Sequence, residues 1–219
     1  MRIIGGTAAG RILKAPKGFD VRPTPDLVRQ AVFNSLGDAP VGARVLELFG
    51  GTGALSLECL SRGACSAICV EKSGKHAGFI RENAAITGLA DRLETRVQDA
   101  FTALAQLAAA GRTFDMVVAD PPYGEKNTGR RSTSMAQKLL DDPRLPALMA
   151  PDGLFVLGHS RRDDLTVTAP WEERKTLRHG DSMMRLFRRA GPGAGSGEEA
   201  SLCGQTPSSN FESGGATMV

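Results

Sequence analysis

The sequence predicts a doubly wound α/β fold: a mostly parallel β-sheet covered by helices on both faces, with an antiparallel hairpin at one edge and a small N-terminal extension. Three observations predict it. Short apolar runs alternate with helical patterns through residues 45–158, the strand–helix succession that winds a parallel sheet. A glycine turn, Gly50-Gly51-Thr52-Gly53, follows the first run and opens the first helical pattern. The fourth run ends in Asp120-Pro121-Pro122-Tyr123, where prolines stop a strand because they cannot donate to a sheet ladder.

Taken in order, residues 45–49 read as the first buried strand, and 54–62 as a helix with Leu55, Cys59 and Leu60 on one face. Residues 67–70 form the second strand and 75–87 the next helix, stopped by Gly88. Residues 93–97 are the third strand, 102–110 an alanine-rich helix ended by Gly111, and 114–119 the apolar fourth strand. Segments 134–140 and 143–148 carry helical patterns, and 153–158 reads as the fifth strand. Residues 166–168, 173–178 and 183–188 have shorter β-like patterns, and the last of these supply the expected edge hairpin. Ahead of this core, residues 1–20 set glycines and basic residues around short apolar pairs, which suits a small β-hairpin. Residues 28–36 then read as a helix, with Thr24 as N-cap and Pro25 at its first position.

Three regions follow. Residues 1–40 are a basic N-terminal extension (hairpin and helix) packed on the core, 41–190 are the α/β domain, and 191–219 are an acidic tail. That tail carries Glu198, Glu199 and Glu212 with no Lys or Arg and few large apolar residues, so disorder is expected there. The whole chain has 219 residues, 41% of them hydrophobic, enough for one buried core. No apolar run approaches the roughly 20 residues that cross a bilayer. The first residues lack an apolar stretch of signal-peptide length, so the cytoplasm is the expected compartment. Four cysteines without a CxxC pair, and three His distant from them in sequence, argue for reduced thiols and against a metal site.

The net charge is only +3, yet it is unevenly spread. Arg2, Arg11, Lys14, Lys17, Arg22 and Arg29 crowd the first thirty residues against Asp20 and Asp26, and Lys126, Arg130 and Arg131 follow the Asp-Pro-Pro-Tyr sequence. Clustered cations of this kind favour a polyanion through phosphate contacts and counterion release, although solvated surface charge has the same composition.

Four features carry chemistry. Glu47-Leu48-Phe49-Gly50-Gly51-Thr52-Gly53 sits between a strand and a helix, where glycine lets the backbone approach a ligand and the helix offers free N–H groups. It does not meet the dinucleotide fingerprint G-x-G-x-x-G, since Gly51 and Gly53 are followed by Ser56. Glu71 ends the second strand, where a carboxylate can accept hydrogen bonds from both ribose hydroxyls of an adenosine cofactor. Asp99 follows the third strand; it suits either an adenine amine or the N-cap of the next helix.

Asp120-Pro121-Pro122-Tyr123 is the sharpest of the four. The lone pair of a flat exocyclic amine is delocalised into its ring, so the amine is a poor nucleophile. Accepting both amine hydrogens, on the Asp120 carboxylate and the Pro121 carbonyl, restores lone-pair character and aims it at a methyl donor. Tyr123, the only tyrosine, offers a face on which an extruded base can stack.

The order E-x-F-x-G-x-G, strand-end Glu, then D-P-P-Y resembles the Rossmann-like S-adenosylmethionine methyltransferases that modify exocyclic amines. More narrowly, Met1-Arg2-Ile3-Ile4-Gly5-Gly6, Gly10-Arg11, Arg22-Pro23-Thr24, Val28-Arg29 and Val32-Phe33-Asn34 resemble the RsmD family of 16S rRNA guanine-N2 methyltransferases, as do Glu58-Cys59-Leu60-Ser61-Arg62-Gly63-Ala64 and Gly180-Asp181-Ser182. The resemblance covers about residues 1–189. It implies a seven-stranded sheet, S-adenosylmethionine as cofactor, and 16S rRNA, within the small ribosomal subunit, as partner of a monomer. It also implies a cofactor site of Glu47, Phe49, Gly51, Gly53, Glu71, Lys72, Asp99 and Ala100, with Asn34 beside it. Catalysis falls to Asp120, Pro121, Pro122 and Tyr123, and RNA binding to Arg11, Arg22, Lys126, Arg130 and Arg131. Two alternatives stay open from the residues: an adenine-N6 or other amine acceptor in DNA, RNA or protein, or a non-catalytic RNA-binding assembly factor.

Overall fold

The computed structural model describes residues 1–16, 25–123 and 130–190. α1 (Asp26–Leu36) precedes β1 (Arg44–Leu48), after which helices and strands alternate: α2 (Ala54–Ser61), β2 (Ser66–Glu71), α3 (Gly74–Thr87), β3 (Leu93–Val97), α4 (Ala100–Ala109) and β4 (Phe114–Ala119). Two short helices, α5 (Met135–Asp141) and α6 (Arg144–Ala147), lead into β5 (Met149–Ser160); β6 (Trp171–His179) and β7 (Ser182–Arg189) complete the sheet.

The seven strands lie in the order β3-β2-β1-β4-β5-β7-β6. The first five of these run parallel, and β7 is antiparallel to both β5 and β6, so the expected edge hairpin closes a seven-stranded sheet. The chain winds outward from β1 to β3, then returns to place β4 on the other side of β1. That reversal opens a crevice at the carboxyl ends of β1 and β4, the place where open α/β sheets bind ligands.

Alternation along the strands splits the interior into two layers. Val45 faces one side with Met116, Val118 and Val156, where α1, α2 and the N-terminal segment pack. Leu46 and Leu48 face the other with Val117, Phe155 and Leu157, where α4, α5 and α6 pack. α4 presents Ala103, Leu104 and Leu107 at helical spacing to this second layer. α3 starts at Ser73, whose Oγ accepts from the His76 N–H, and ends at Gly88, whose φ of 71° is a left-handed helix stop.

Some boundaries differ from expectation. Pro25 is the N-cap of α1 rather than its first residue, and Thr24 lies outside the described residues. β5 begins at Met149, because Phe114 pairs with Met149 before a register shift absorbs Pro151 and Gly153. Residues 166–168 belong to no strand.

The N-terminal segment forms the expected hairpin contact: Arg2 bridges Ile12 in antiparallel fashion, and the Ile3 N–H donates to the Arg11 carbonyl at 3.0 Å. Ile3, Ala8 and Leu13 join the same core as Val32, Phe33, Leu57 and Leu60. α2 is therefore buried along its whole length, sheet on one side and N-terminal segment on the other. Glu58 on α2 satisfies that contact. Its carboxylate accepts from the Ile4 N–H at 2.8 Å, the Gly5 N–H at 2.9 Å and Arg62 Nε at 2.8 Å. Gly6, at φ 78°, passes so close that a Cβ there would meet the Ser61 carbonyl oxygen at 1.9 Å. Beside Glu58 lies the wholly buried Arg29 guanidinium, its Nη1 3.9 Å away, with Nη2 donating to the Arg2 carbonyl and to Asp26.

Replacing Glu58 with Ala leaves two main-chain donors and Arg62 Nε without their acceptor and removes the carboxylate that faces the buried Arg29. We expect Glu58→Ala to lower unfolding free energy by about 3 kcal/mol, read as an earlier urea midpoint. A loss below about 1 kcal/mol would show that the N-terminal segment does not depend on this carboxylate.

Candidate active site

Four strand ends converge on a cavity of about 680 Å³. Phe49 and Gly51 reach it from the β1–α2 turn, Glu71 and Lys72 from the end of β2, and Asp99 and Ala100 from the start of α4. Asp120, Pro121, Pro122 and Tyr123 line it from the end of β4. The structure thus brings together ten of the residues singled out in the sequence.

The turn after β1 is shaped by close approach. The Gly50 N–H donates to the Val70 carbonyl at 2.9 Å, and a Cβ on Gly50 would collide with Cys69 Sγ at 2.4 Å. Phe49 itself takes φ 59°, a left-handed conformation rarely adopted by a bulky side chain, and its ring meets Phe101 edge-on with centroids 6.4 Å apart. Glu71 fixes the turn from the neighbouring strand. Its Oε2 accepts from the Gly51 N–H and its Oε1 from the Ser73 N–H, each at 2.8 Å.

Asp99 is the N-cap of α4, its Oδ1 accepting from the Phe101 and Thr102 N–H groups at 3.0 and 3.3 Å. The cap also holds the carboxylate in the cavity wall. Across the cavity, Asp120 is half-buried against Gly158 of β5, where a Cβ would lie 2.2 Å from Asp120 Oδ1. Tyr123, 39% exposed at the mouth, donates its phenol hydrogen to Ser182 Oγ at 2.6 Å.

Other expected residues lie elsewhere. Glu47 is buried under α2, where its Oε2 accepts from the Ser56 N–H at 2.9 Å and the Cys69 thiol at 3.3 Å; burial pushes its carboxyl above the usual range. Gly53 is the left-handed N-cap of α2, packed near Ile80. Asn34 faces outward from α1 and does not line the cavity. Arg11, Arg130 and Arg131 are exposed, Arg131 paired with Asp141 at 2.7 Å. Arg22 and Lys126 fall outside the described residues. Conversely, Ser73, His76, Gln98, Met135 and Ser182 line the cavity without having been singled out for it. Proximity to Glu71 and Asp99 was a usable signal for the first three; Ser182 had only its place after Gly180-Asp181.

The donor set suits a nucleoside. Two carboxylates, a glycine turn and apolar walls of Phe49, Val70 and Ala100 enclose a slot that joins, without a break, to the Asp-Pro-Pro-Tyr strand end. A bound molecule can therefore present one end to Glu71 and Asp99 and its other end to Asp120.

Comparison with known proteins agrees with this layout. The family model described as conserved hypothetical protein 95 matches residues 1–188. The ribosomal RNA small subunit methyltransferase D of Escherichia coli is 32% identical over 194 residues, covering 88% of this chain and 92% of that protein. A solved structure from Thermus thermophilus, described as a hypothetical protein, superposes with a TM-score of 0.68 at 30% identity, covering 85% of this chain and 98% of that one. An RNA methyltransferase structure from Salinibacter ruber shares the fold at 21% identity and a TM-score of 0.56, covering 75% of this chain and 92% of that one. With nearly the whole described chain matched and its motifs in place, the protein belongs to the conserved hypothetical protein 95 family, the RsmD family of methyltransferases.

Proposed function

We propose that this chain transfers a methyl group from S-adenosylmethionine to the exocyclic N2 amine of a guanine in 16S ribosomal RNA. Its family and the name of its Escherichia coli relative support ribosomal RNA methylation. The observation that carries the reading at the level of residues is the meeting of Glu71, Asp99 and Asp120-Pro121-Pro122-Tyr123 in one cavity.

Each residue has a task set by its chemistry. Glu71, held by the Gly51 and Ser73 N–H groups, accepts from the ribose hydroxyls, and Asp99 from the adenine amine. Phe49, Gly51, Lys72 and Ala100 form the walls of the cofactor slot. S-adenosylmethionine supplies a methyl group on a positively charged sulfur. Asp120 and the Pro121 carbonyl accept the two hydrogens of the guanine amine, which localises its lone pair. Tyr123 offers the ring on which the extruded base stacks. Pro121 and Pro122 stiffen the backbone between these groups, so catalysis rests on positioning rather than on a covalent enzyme intermediate. Arg11, Arg130 and Arg131, exposed, with Arg22 and Lys126, would grip the RNA backbone of a small ribosomal subunit in the cytoplasm.

The deciding experiment gives purified protein labelled S-adenosylmethionine with small subunits, or naked 16S rRNA, from cells lacking the enzyme. Label is expected in N2-methylguanosine. We expect Asp120→Ala to lower kcat about a hundredfold or more with cofactor binding retained; label in another nucleoside, or none, would overturn the assignment. Isothermal titration should show Glu71→Ala weakening S-adenosylmethionine binding about tenfold or more. An unchanged Kd would remove Glu71 from the cofactor site. Gly158→Ala, which drives a methyl group into the Asp120 carboxylate, should cut kcat with the cofactor Kd unaltered. Full activity in that variant would mean that Asp120 can work from a displaced position.

A further inference from the structure

Two prolines hold the main chain before Tyr123, but they do not fix the ring, which still turns about two side-chain bonds. A stacking platform left free would have to be ordered each time a base arrives, and that cost reduces binding in the reactive pose. In this structure the ring is held at its far end as well: the phenol donates to Ser182 Oγ at 2.6 Å, 59 residues along the chain.

Ser182 is itself unusually well placed to act as a fixed point. It is 7% exposed and is the first residue of β7. It lies in the middle of three strands, opposite Ser160 of β5 and His179 of β6. The turn before it is a two-residue hairpin loop, Gly180-Asp181, with Gly180 at φ 58° and only the glycine in the left-handed region, as a type II′ turn requires. The Arg161 N–H closes on the Asp181 carbonyl at 2.8 Å, tying that turn to the end of β5. The hydroxyl therefore belongs to the sheet, not to a loop that moves with the tyrosine.

We propose that Ser182 is a positioning residue for the target base: its hydroxyl anchors the Tyr123 phenol to the β5–β7 pair and sets the plane on which the base stacks. The inference rests on the role assigned to Tyr123 in the proposed reaction. It gives the antiparallel edge hairpin a task beyond closing the sheet, and it gives Gly180-Asp181-Ser182 a physical reason for its composition.

The chain's single tyrosine makes the anchor observable without turnover. Protein labelled at tyrosine Cζ gives one carbon resonance, which we expect to shift in Ser182→Ala and to return in Ser182→Thr. In the methylation assay, Ser182→Ala should lower kcat about fivefold to tenfold, as expected for one lost hydrogen bond, with KM for S-adenosylmethionine unchanged and activity restored by Ser182→Thr. Tyr123→Phe should cost a similar factor, and the double variant Tyr123→Phe/Ser182→Ala no more than either alone, since both remove the same bond. An unmoved resonance, an unchanged kcat in Ser182→Ala, or multiplying losses in the double variant would each overturn the proposal. Absence of wild-type methylation with the resonance still responsive would instead count against the guanine reading and leave the anchor standing.

Discussion

The carboxylate of Glu71 accepts from the Gly51 N–H on one side and the Ser73 N–H on the other, so a single side chain joins the turn after β1 to the first turn of α3. Hydrogen bonds to a charged acceptor at a largely buried site contribute about 2 kcal/mol each. The rest of the site follows from this junction. It holds Gly51 at the rim, which lets the backbone run close beneath a ligand, and it leaves Phe49 turned into the cavity at its strained φ of 59°. A residue that is expected to bind cofactor is thus also the clamp that shapes the slot, so binding and local structure are energetically linked.

A similar economy governs the other wall. Asp120 needs room, and β5 provides it by having glycine at 158, where a side chain would meet the carboxylate. The same β5 pairs with β7, which carries Ser182 to the phenol of Tyr123. Parallel strands β1 to β4 supply most of the groups that line the cavity, and the antiparallel pair beside them supplies the steric and hydrogen-bonding frame. On the opposite face, Asn83 performs a comparable service: its side chain bonds the Lys14 main chain at both N–H and carbonyl, and reaches the Thr52 carbonyl at 3.0 Å. The N-terminal segment and the glycine turn are thereby fixed to one helix.

Much of this was readable before any coordinates. Buried parallel strands are near-continuous apolar runs, and the one at Phe114–Ala119 has the boundaries that the sequence indicates, as does the more polar edge strand Leu93–Val97. Residues at strand tips were also readable, because β-strand ends in this topology point at the crevice; Glu71, Asp99 and Asp120 all line it. Glu47 shows where such reasoning stops. It too is an acidic residue near the end of an apolar strand, but one position before the tip puts its side chain under α2 rather than into the crevice. Which face a polar side chain takes depends on strand parity and on the helix that covers it, and neither is explicit in a motif. Ser182 was harder still, since its partner lies 59 residues away and no periodicity records that pairing. The start of β5 was hidden by Pro151 and Gly153, which ordinarily end strands and here sit at an irregularity in the pairing.

The main-chain donors of Ile4 and Gly5 find their acceptor on Glu58, 54 and 53 residues later. During synthesis the amino end emerges long before that carboxylate exists in the chain. At about 5–20 residues per second, several seconds pass before the Ile4 and Gly5 N–H groups can meet that acceptor. The first residues made are consequently among those that must wait to be docked, and they can dock only after α2 has formed a surface to receive them. Docking of the segment that carries Ile4 and Gly5 thus cannot precede the synthesis of residue 58 and the helix that holds it.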